Sequence, residues 1–204
     1  MDRAIRFFPY ILLIFHAVGI GLFLYLAKAP ELSYLNILLS ALLVLASEKI
    51  NRSSIFVFAF IFVFGFIIEL IGVQTGYLFG SYIYEEAMGP LVFGTPLIIG
   101  ATWYAVVVGA SAIASKIHKH KAIQAVIAGL LAVLMDVVIE QVAVGYGLWN
   151  WEGGEIPLYN YICWFIFGTA FSYLYIKLTR NHNDTARYLY WIWLAFFTIL
   201  TVLV

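Results

Sequence analysis

Long apolar stretches, separated by short polar or glycine-rich breaks, dominate the pattern of this chain. Several reach roughly 20 residues, the length that an α-helix needs to cross a hydrocarbon core about 30 Å thick. Transmembrane strands would instead alternate apolar and polar residues over short segments. We therefore predict an all-α fold, a polytopic membrane helical bundle in a single integral membrane domain over residues 1–204. Its seven helices are predicted at residues 5–27, 32–48, 54–73, 91–114, 122–144, 157–178 and 187–204.

Composition leads to the same class of protein. Hydrophobic residues make up 64% of the chain, charged residues 11%, and the mean hydropathy is +0.98. This leaves too little polar surface to cover a water-soluble globule. The net charge is zero, and the short basic stretch 116–121 is suited to anionic lipid headgroups rather than to nucleic acid. The expected partner is the lipid bilayer, with no nucleic acid.

Lysine and arginine are distributed unequally between the two predicted sides of the membrane. Lys28 lies on one side, and ten residues share the other: Arg3, Arg6, Lys49, Arg52, Lys116, Lys119, Lys121, Lys177, Arg180 and Arg187. Because cytoplasmic loops carry the excess of basic residues, we expect a cytoplasmic N-terminus and an outer C-terminus. The expected location is a prokaryotic plasma membrane.

The first apolar segment has an alternative interpretation as a signal peptide. Arg3 and Arg6 precede it, and residues 27–29 imitate a small-residue cleavage site. The apolar run is longer than the roughly 7–15 residues of a signal-peptide core, and Lys28 occupies the middle of the site. We expect the segment to remain as the first helix.

Three carboxylates lie within the predicted spans. Glu69 is near the end of the run 55–72, and Asp136 and Glu140 are near the end of the run 122–144. A charged side chain there costs roughly 2.5–3.5 kcal/mol on insertion scales. Both helices run outward, so the three carboxylates share a similar depth, and Asp136 and Glu140, four residues apart, share one helix face. We predict a pocket between the third and fifth helices.

Acid catalysis is the chemistry that these carboxylates favour. No Lys or Arg lies within the spans near that depth, so salt bridges cannot neutralise all three, and some must share protons. A carboxylic acid that stays protonated is what protonation of an unactivated alkene requires. The alternative is that each acid only hydrogen-bonds to a neighbouring helix. Candidate partners are Gln74, Gln141, Tyr82, Tyr146 and Asn160.

The two longest outward segments, 72–90 and 145–157, combine glycine with Trp and Tyr. One interpretation is an aromatic belt at the membrane interface with glycines in turns. The other is a cover over the carboxylate pocket. His16 and Thr102, also within spans, are interpreted as packing or hydrogen-bonding residues.

Two motif blocks resemble a known family. The first contains Glu69, Gly72, Val73, Thr75, Gly76, Phe79, Gly80, Tyr82 and Tyr84, then Gly89, Pro90, Pro96 and Trp103. The second contains Asp136, Glu140, Val142, Ala143, Val144, Trp149 and Trp151, then Ile156, Pro157, Leu158, Asn160, Tyr161 and Trp164. Over roughly residues 60–170 the chain resembles the integral-membrane carotenoid hydratases, of the bisanhydrobacterioruberin hydratase and γ-carotene 1'-hydroxylase type.

The resemblance implies addition of water to a terminal isoprenoid double bond of a linear or monocyclic carotenoid, giving a tertiary alcohol. The expected catalytic residues are Asp136, Glu69 and Glu140. Asp136 is favoured as proton donor and Glu69 as its partner, but the sequence does not order the three roles. The expected substrate-binding residues are Thr75, Tyr82, Tyr84, Trp103, Trp149, Trp151, Asn160 and Trp164. Aromatic ring faces would stabilise the carbocation. Hydration leaves the oxidation state unchanged, so no cofactor and no metal are expected, and other carotenoid-biosynthesis enzymes are candidate partners.

Other functions use the same features. A membrane carrier or proton-coupled transporter would relay protons through the carboxylates, although the polar positions concentrate toward one side and the chain has no inverted repeat. A carotenoid cyclase begins with the same protonation but excludes water. A retinal-binding receptor is disfavoured because the seventh helix has no Lys for a Schiff base.

Overall fold

The residues that the structure describes form seven α-helices, as predicted. The computed structural model describes residues 4–26, 29–179 and 183–203. The helices are α1 (Phe8–Tyr25), α2 (Ser33–Ser47), α3 (Arg52–Thr75), α4 (Ile99–Ile117), α5 (Lys121–Gly145), α6 (Leu158–Leu178) and α7 (Asp184–Leu203). Short 3-10 turns precede α1 and α2, at Ile5–Phe7 and Ala29–Leu32. Each predicted helix is therefore present, and the all-α class is confirmed.

Six of these helices, all but α4, are long and apolar enough to cross a membrane. Helix α4 instead occupies the centre of the bundle, where its residues from Ile99 to Ala114 are all buried. It packs against α2, α3, α5, α6 and α7. Its 19 residues correspond to a length of about 28 Å. Small residues such as Gly109 and Ala110 suit this position because neighbouring backbones approach α4 closely.

The predicted start of the fourth helix was wrong. The span was predicted from residue 91, whereas α4 begins at Ile99. Residues 91–96 form a hairpin of two short strands, β2 (Leu91–Val92) and β3 (Thr95–Pro96). Phe93 and Gly94, between the strands, both have positive φ angles, a geometry of tight hairpin turns. The apolar side chains of this segment concealed the turn.

A second strand pair joins the two outward segments. Strand β1 (Tyr82–Tyr84) pairs antiparallel with β4 (Trp149–Trp151), with Tyr82 opposite Trp151. We call residues 76–90 and 146–157 the roof. The roof follows α3 and α5 directly, so both carboxylate-bearing helices end beneath it.

Glu48 organises the opposite, basic end of the bundle. Its Oε1 atom accepts hydrogen bonds from Tyr175 (2.7 Å) and from Asn183 (2.8 Å), so α2, α6 and the start of α7 are held together. The helix ends and connections on this side carry six basic residues, Lys49, Arg52, Lys116, Lys119, Lys121 and Lys177. Of the residues used for the orientation prediction, Arg3, Lys28 and Arg180 lie outside the described residues, as does most of the candidate cleavage site.

Close packing of α4 against α3 predicts an effect of adding one methyl group at Gly100. A Cβ atom there would overlap the carbonyl oxygen of Phe62, and overpacking of this kind costs about 1–3 kcal/mol. Gly100→Ala should therefore lower the melting temperature of the purified protein in detergent, followed by tryptophan fluorescence. Gly21→Ala is the control, because a Cβ atom at Gly21 meets nothing within 4 Å. Equal melting temperatures for the two variants would contradict the packing described.

Candidate active site

A cavity of about 350 Å³ lies beneath the roof and is lined by all three carboxylates. Glu69 comes from α3, and Asp136 and Glu140 come from α5. Their side chains are 2–3% exposed, although each borders the cavity. The remaining wall is mainly aromatic and aliphatic. The structure thus brings the three predicted catalytic residues together in one apolar space.

Glu69 accepts three hydrogen bonds from neutral donors. Tyr82 and Tyr84 of β1 donate to Oε2 at 2.5 and 2.9 Å, and the indole of Trp103 donates to Oε1 at 2.8 Å. Gly65 and Gly72, on the same face of α3 as Glu69, make these approaches possible. A Cβ atom at Gly65 would lie 2.9 Å from the Trp103 side chain, and one at Gly72 would lie 3.1 Å from the Tyr82 hydroxyl.

Glu140 is held by the tryptophans of β4. Both indoles donate to Oε2, Trp149 at 3.0 Å and Trp151 at 2.8 Å. Alternation along the strand directs both rings to the same face of the two-stranded sheet, while Asn150 between them is exposed and bonds to Glu85 on the neighbouring segment. Strand pairing therefore aims two tyrosines at Glu69 and two tryptophans at Glu140.

Asp136 has a different environment. Its Oδ2 atom accepts a hydrogen bond of 2.6 Å from Asn160 in the first turn of α6. Within the described residues the hydrogen bonding of Asp136 is confined to that oxygen, so Oδ1 is available to a bound molecule in the cavity. Of the three carboxylates it is the one with the fewest protein donors.

Phe79 fixes the approach of the roof to α3. It has a φ angle of +65°, a conformation that bulky residues rarely adopt. Its ring is fully buried and lies against Tyr82, Trp103 and Phe167. Burial of the ring stabilises this backbone geometry, which turns the chain from Gly76, the left-handed C-cap of α3, into β1.

The tyrosines of β1 remain hydrogen-bond donors over a wide pH range. Burial raises the pKa of Tyr82 and of Tyr84 well above the ordinary value near 10, and the nearby Glu69 raises both further. A phenol that keeps its proton continues to donate to Glu69. The site therefore relies on neutral donors around its carboxylates, and the one ion pair within the described part of the chain is Arg187–Asp184, between residues of α7.

The predicted substrate-binding residues lie at three kinds of position. Tyr82, Tyr84, Trp149, Trp151, Asn160 and Trp164 line the cavity. Trp103 lies behind the wall, where it bonds to Glu69 and stacks on Trp164 with ring centroids 4.0 Å apart. Thr75 is exposed on α3, and its hydroxyl donates to the Ile71 carbonyl. The structure does not bring Thr75 to the cavity.

A second polar cluster in the cavity wall was not predicted. His16 Nδ1 donates to the carbonyl of Leu12 at 2.7 Å, so Nε2 is an acceptor. Trp193 of α7 donates to Nε2 at 2.8 Å, and the side-chain nitrogen of Asn36 in α2 lies 3.2 Å away. His16 was interpreted from the sequence as a packing or hydrogen-bonding residue, and Asn36 was visible as a polar residue within an apolar run. Trp193, which completes the cluster, lies in the last helix, too distant along the chain for a spacing argument.

Metal-binding geometry is not found among the side chains that the structure describes. No group of three or more His, Cys, Asp and Glu residues there is arranged to hold a metal ion. The carboxylates face an apolar cavity and are surrounded by indole, phenol and amide donors. Such surroundings can position carboxyl groups for proton transfer to an apolar molecule.

Comparison with known proteins gives a consistent result. The family model described as carotenoid biosynthesis protein matches residues 31–204. The chain belongs to this family. Bisanhydrobacterioruberin hydratase from Haloarcula japonica is 27% identical over 111 residues, which cover 50% of this chain and 38% of that relative. The chain thus spans well under two thirds of the relative's length, and no solved structure matches. The family match supports a carotenoid-modifying role, and the long apolar helices indicate that the protein lies in a membrane.

The buried phenols predict the stability of the protein in alkaline solution. The unfolded state loses phenol protons near pH 10, whereas folded Tyr82 and Tyr84 keep theirs to higher pH. Stability should therefore fall as the pH rises above about 10, because the unfolded state then binds fewer protons. Tyr82→Phe/Tyr84→Phe should show a smaller fall in melting temperature between pH 9 and 11 than the original protein does.

Tyrosinate absorbance in the near ultraviolet provides a second measurement. The original protein and Tyr82→Phe/Tyr84→Phe should show the same rise in absorbance through the ordinary pH range of tyrosine ionisation. The reason is that the two phenols absent from the variant do not ionise there in the folded protein. A loss of two tyrosines' amplitude in the variant would contradict the burial of these groups.

Proposed function

We propose that the protein is a carotenoid hydratase. It adds water to a terminal isoprenoid double bond of a linear or monocyclic carotenoid by acid catalysis and gives a tertiary alcohol. The observation that carries the proposal is the convergence of three buried carboxylates on one apolar cavity, with neutral donors as their partners. The family match and the name of the archaeal relative support the substrate class.

Asp136 is the proposed proton donor. Its Oδ2 atom is occupied by Asn160, which leaves Oδ1 to carry a proton toward the cavity. Transfer of that proton to the less substituted carbon of the double bond forms a C–H bond and leaves a tertiary carbocation on the neighbouring carbon. In the apolar cavity few competing acceptors surround the proton, so its delivery to carbon is favoured.

Glu140 is the proposed base. It lies one helical turn from Asp136 on the same face of α5, and Oε2 is held by two indoles. A water molecule bonded to Oε1 can attack the cation while its proton passes to the carboxylate. The carbon–oxygen bond forms, Asp136 gives up one proton and Glu140 takes up one, so the sum is addition of H₂O. Return of that proton from Glu140 to Asp136 restores both groups for the next cycle.

Glu69 is the proposed electrostatic partner. Three donors occupy both of its oxygens, which suits an anion that stays in place better than a group that exchanges protons. A fixed negative charge in a cavity of low polarity stabilises a developing cation. The indole faces of Trp149, Trp151 and Trp164 along the cavity wall add to this stabilisation.

Orientation in the membrane forms part of the proposal. With the basic end in the cytoplasm, as the positive-inside rule predicts, the roof and the cavity lie toward the outer face of a prokaryotic plasma membrane. Proton relay across the bilayer would require titratable groups at successive depths, whereas the three carboxylates of this cavity lie close beneath the roof. This arrangement favours local chemistry over transport.

Pigment analysis in carotenoid-producing bacteria tests the proposal. Cells that accumulate lycopene or γ-carotene and express the protein should yield a more polar pigment, heavier by one water, as judged by chromatography and mass. Asp136→Asn should abolish the product, because an amide does not donate a proton of comparable acidity. General acid catalysis typically contributes about 10²–10⁴-fold, so the loss should reach at least the lower value.

Two matched controls separate chemistry from folding. Glu48→Gln removes a buried carboxylate at the basic end, remote from the cavity, and Glu152→Gln removes an exposed one in the roof. Both variants should hydrate the pigment if they remain folded. Full activity of Asp136→Asn would contradict the assignment, and a cyclised product of unchanged mass would identify the enzyme as a cyclase instead.

The role of Glu69 predicts a distinct result. Glu69→Gln keeps the size of the side chain but removes the fixed charge, so product formation should fall sharply while pigment still binds. The initial rate of product formation and the amount of bound pigment should be measured in the same membrane samples, for Glu69→Gln and for the original protein. Wild-type rates for Glu69→Gln would remove this residue from the mechanism and leave Asp136 and Glu140 as the acting pair.

A further inference from the structure

The cavity has an exposed side, and its position identifies a route for the substrate. Four residues in the cavity wall have exposed side chains: Phe15 (52%), Val18 (56%), Leu32 (44%) and Leu35 (47%). Among the described residues these are the exposed members of the wall, and all belong to α1, to α2 or to the turn that precedes α2. The carboxylates and the roof aromatics in the same wall are buried or largely buried.

This side faces the hydrocarbon rather than water. Phe15 and Val18 lie near the middle of α1, and both α1 and α2 are apolar enough to cross the membrane. An opening at that height leads into lipid acyl chains. The four exposed residues are all apolar, which suits passage of a hydrocarbon and not of an ion.

Cavity volume supports the same conclusion. Sites that enclose drug-sized molecules measure about 300–1,000 Å³, and this one measures about 350 Å³. A carotenoid is a longer molecule than those ligands, so the cavity can enclose one end of the chain. The remaining polyene must leave the protein, and the wall has its exposed apolar side between α1 and α2.

The unpredicted polar cluster fixes the inner border of this opening. His16, between Phe15 and Val18, accepts from Trp193 of α7, and Asn36 follows Leu35 on α2. The cluster therefore ties α1 and α2 to the bundle immediately inside the exposed residues. The region includes α1, which lies outside the segment matched by the family model.

We propose that the seam between α1 and α2 is a lateral opening through which one end of a linear isoprenoid enters from the bilayer, while the rest of its polyene stays in lipid. The proposal rests on the proposed function for its substrate class. The end group passes Val18 and Leu35, reaches Asp136 and Glu140, and is hydrated there. Entry by one end also means that a carotenoid with two reactive ends needs two separate binding events.

A double substitution tests the opening. Val18→Phe with Leu35→Phe fills the seam, and Ile14→Phe with Leu42→Phe is the matched control. Ile14 and Leu42 lie on the same two helices and are 61% and 53% exposed, but they do not line the cavity. The measurements are conversion of lycopene in producing cells and the amount of lycopene that copurifies with each protein.

The seam variant should lose both conversion and copurified pigment several-fold, while the control retains both. Equal values for the two double variants would overturn the opening. If the original protein binds lycopene without converting it, the proposed function fails, and loss of pigment from the seam variant still supports the opening. If the original protein neither binds nor converts lycopene or γ-carotene, tested in parallel, both proposals are overturned.

Chemical labelling of the folded protein tests the opening without the risk that a substitution prevents folding. Val18→Cys in a Cys163→Ala background is purified and then treated with a bulky aromatic thiol reagent, with labelling confirmed by mass. Labelled protein should bind less lycopene than unlabelled protein, and the same treatment of Ile14→Cys should change little. Unchanged lycopene binding after complete labelling of Val18→Cys would overturn the proposal.

Discussion

A carboxyl group removed from water has to find hydrogen-bond partners inside the protein. Here the partners of Glu69 and Glu140 are indoles and phenols, which satisfy an oxygen atom without bringing a positive charge. Large aromatic donors can reach the carboxylates only if other groups make room. Gly65 and Gly72 on α3 provide that room, and the central position of α4 places Trp103 behind Glu69. Several separate features of the bundle thus follow from one requirement.

The strand pair in the roof positions the donors for Glu69 and Glu140. In β1 and β4, each three residues long, the outer two side chains point inward and the central one points outward. Ile83 and Asn150 are accordingly exposed, whereas Tyr82 and Trp151 face one another above the cavity. A sheet too short to be stable by itself is supported by the carboxylates that it covers. Donor placement and strand register therefore stabilise each other.

The sequence was sufficient to predict the helices and the convergence of the carboxylates, because apolar length and common depth are local properties of each span. The partners were harder to predict. Of the five candidate partners, Tyr82 and Asn160 do bond to a carboxylate, whereas Gln74 donates to the Phe93 carbonyl in the β2–β3 hairpin. The tryptophans were expected as ring faces for a cation, whereas the structure shows the indole N–H groups of Trp103, Trp149 and Trp151 donating to the carboxylates. Thr75, placed by motif spacing, points away from the cavity.

Non-local pairing explains the remaining differences between prediction and structure. Strands of two or three residues within glycine-rich segments carry too little periodic signal to be recognised, and β1 and β4 are separated by two complete helices. The early start predicted for the fourth helix has the same origin, since an apolar hairpin resembles the beginning of a span. The His16 cluster joins the first, second and last helices, and no spacing rule connects positions so far apart.

Pairing between β1 and β4 also has a consequence for the biogenesis of the protein. The chain enters the membrane from its N-terminus, so Glu69 is inserted before the strand that will cover Glu140 has been made. The roof can close only when α3, α4 and α5 are in place and Trp151 has emerged. Until then Glu140 lacks both of its indole partners, Trp149 and Trp151. The cavity is therefore a product of the assembled bundle, and a nascent chain that has not reached α6 also lacks Asn160, the hydrogen-bond partner of Asp136.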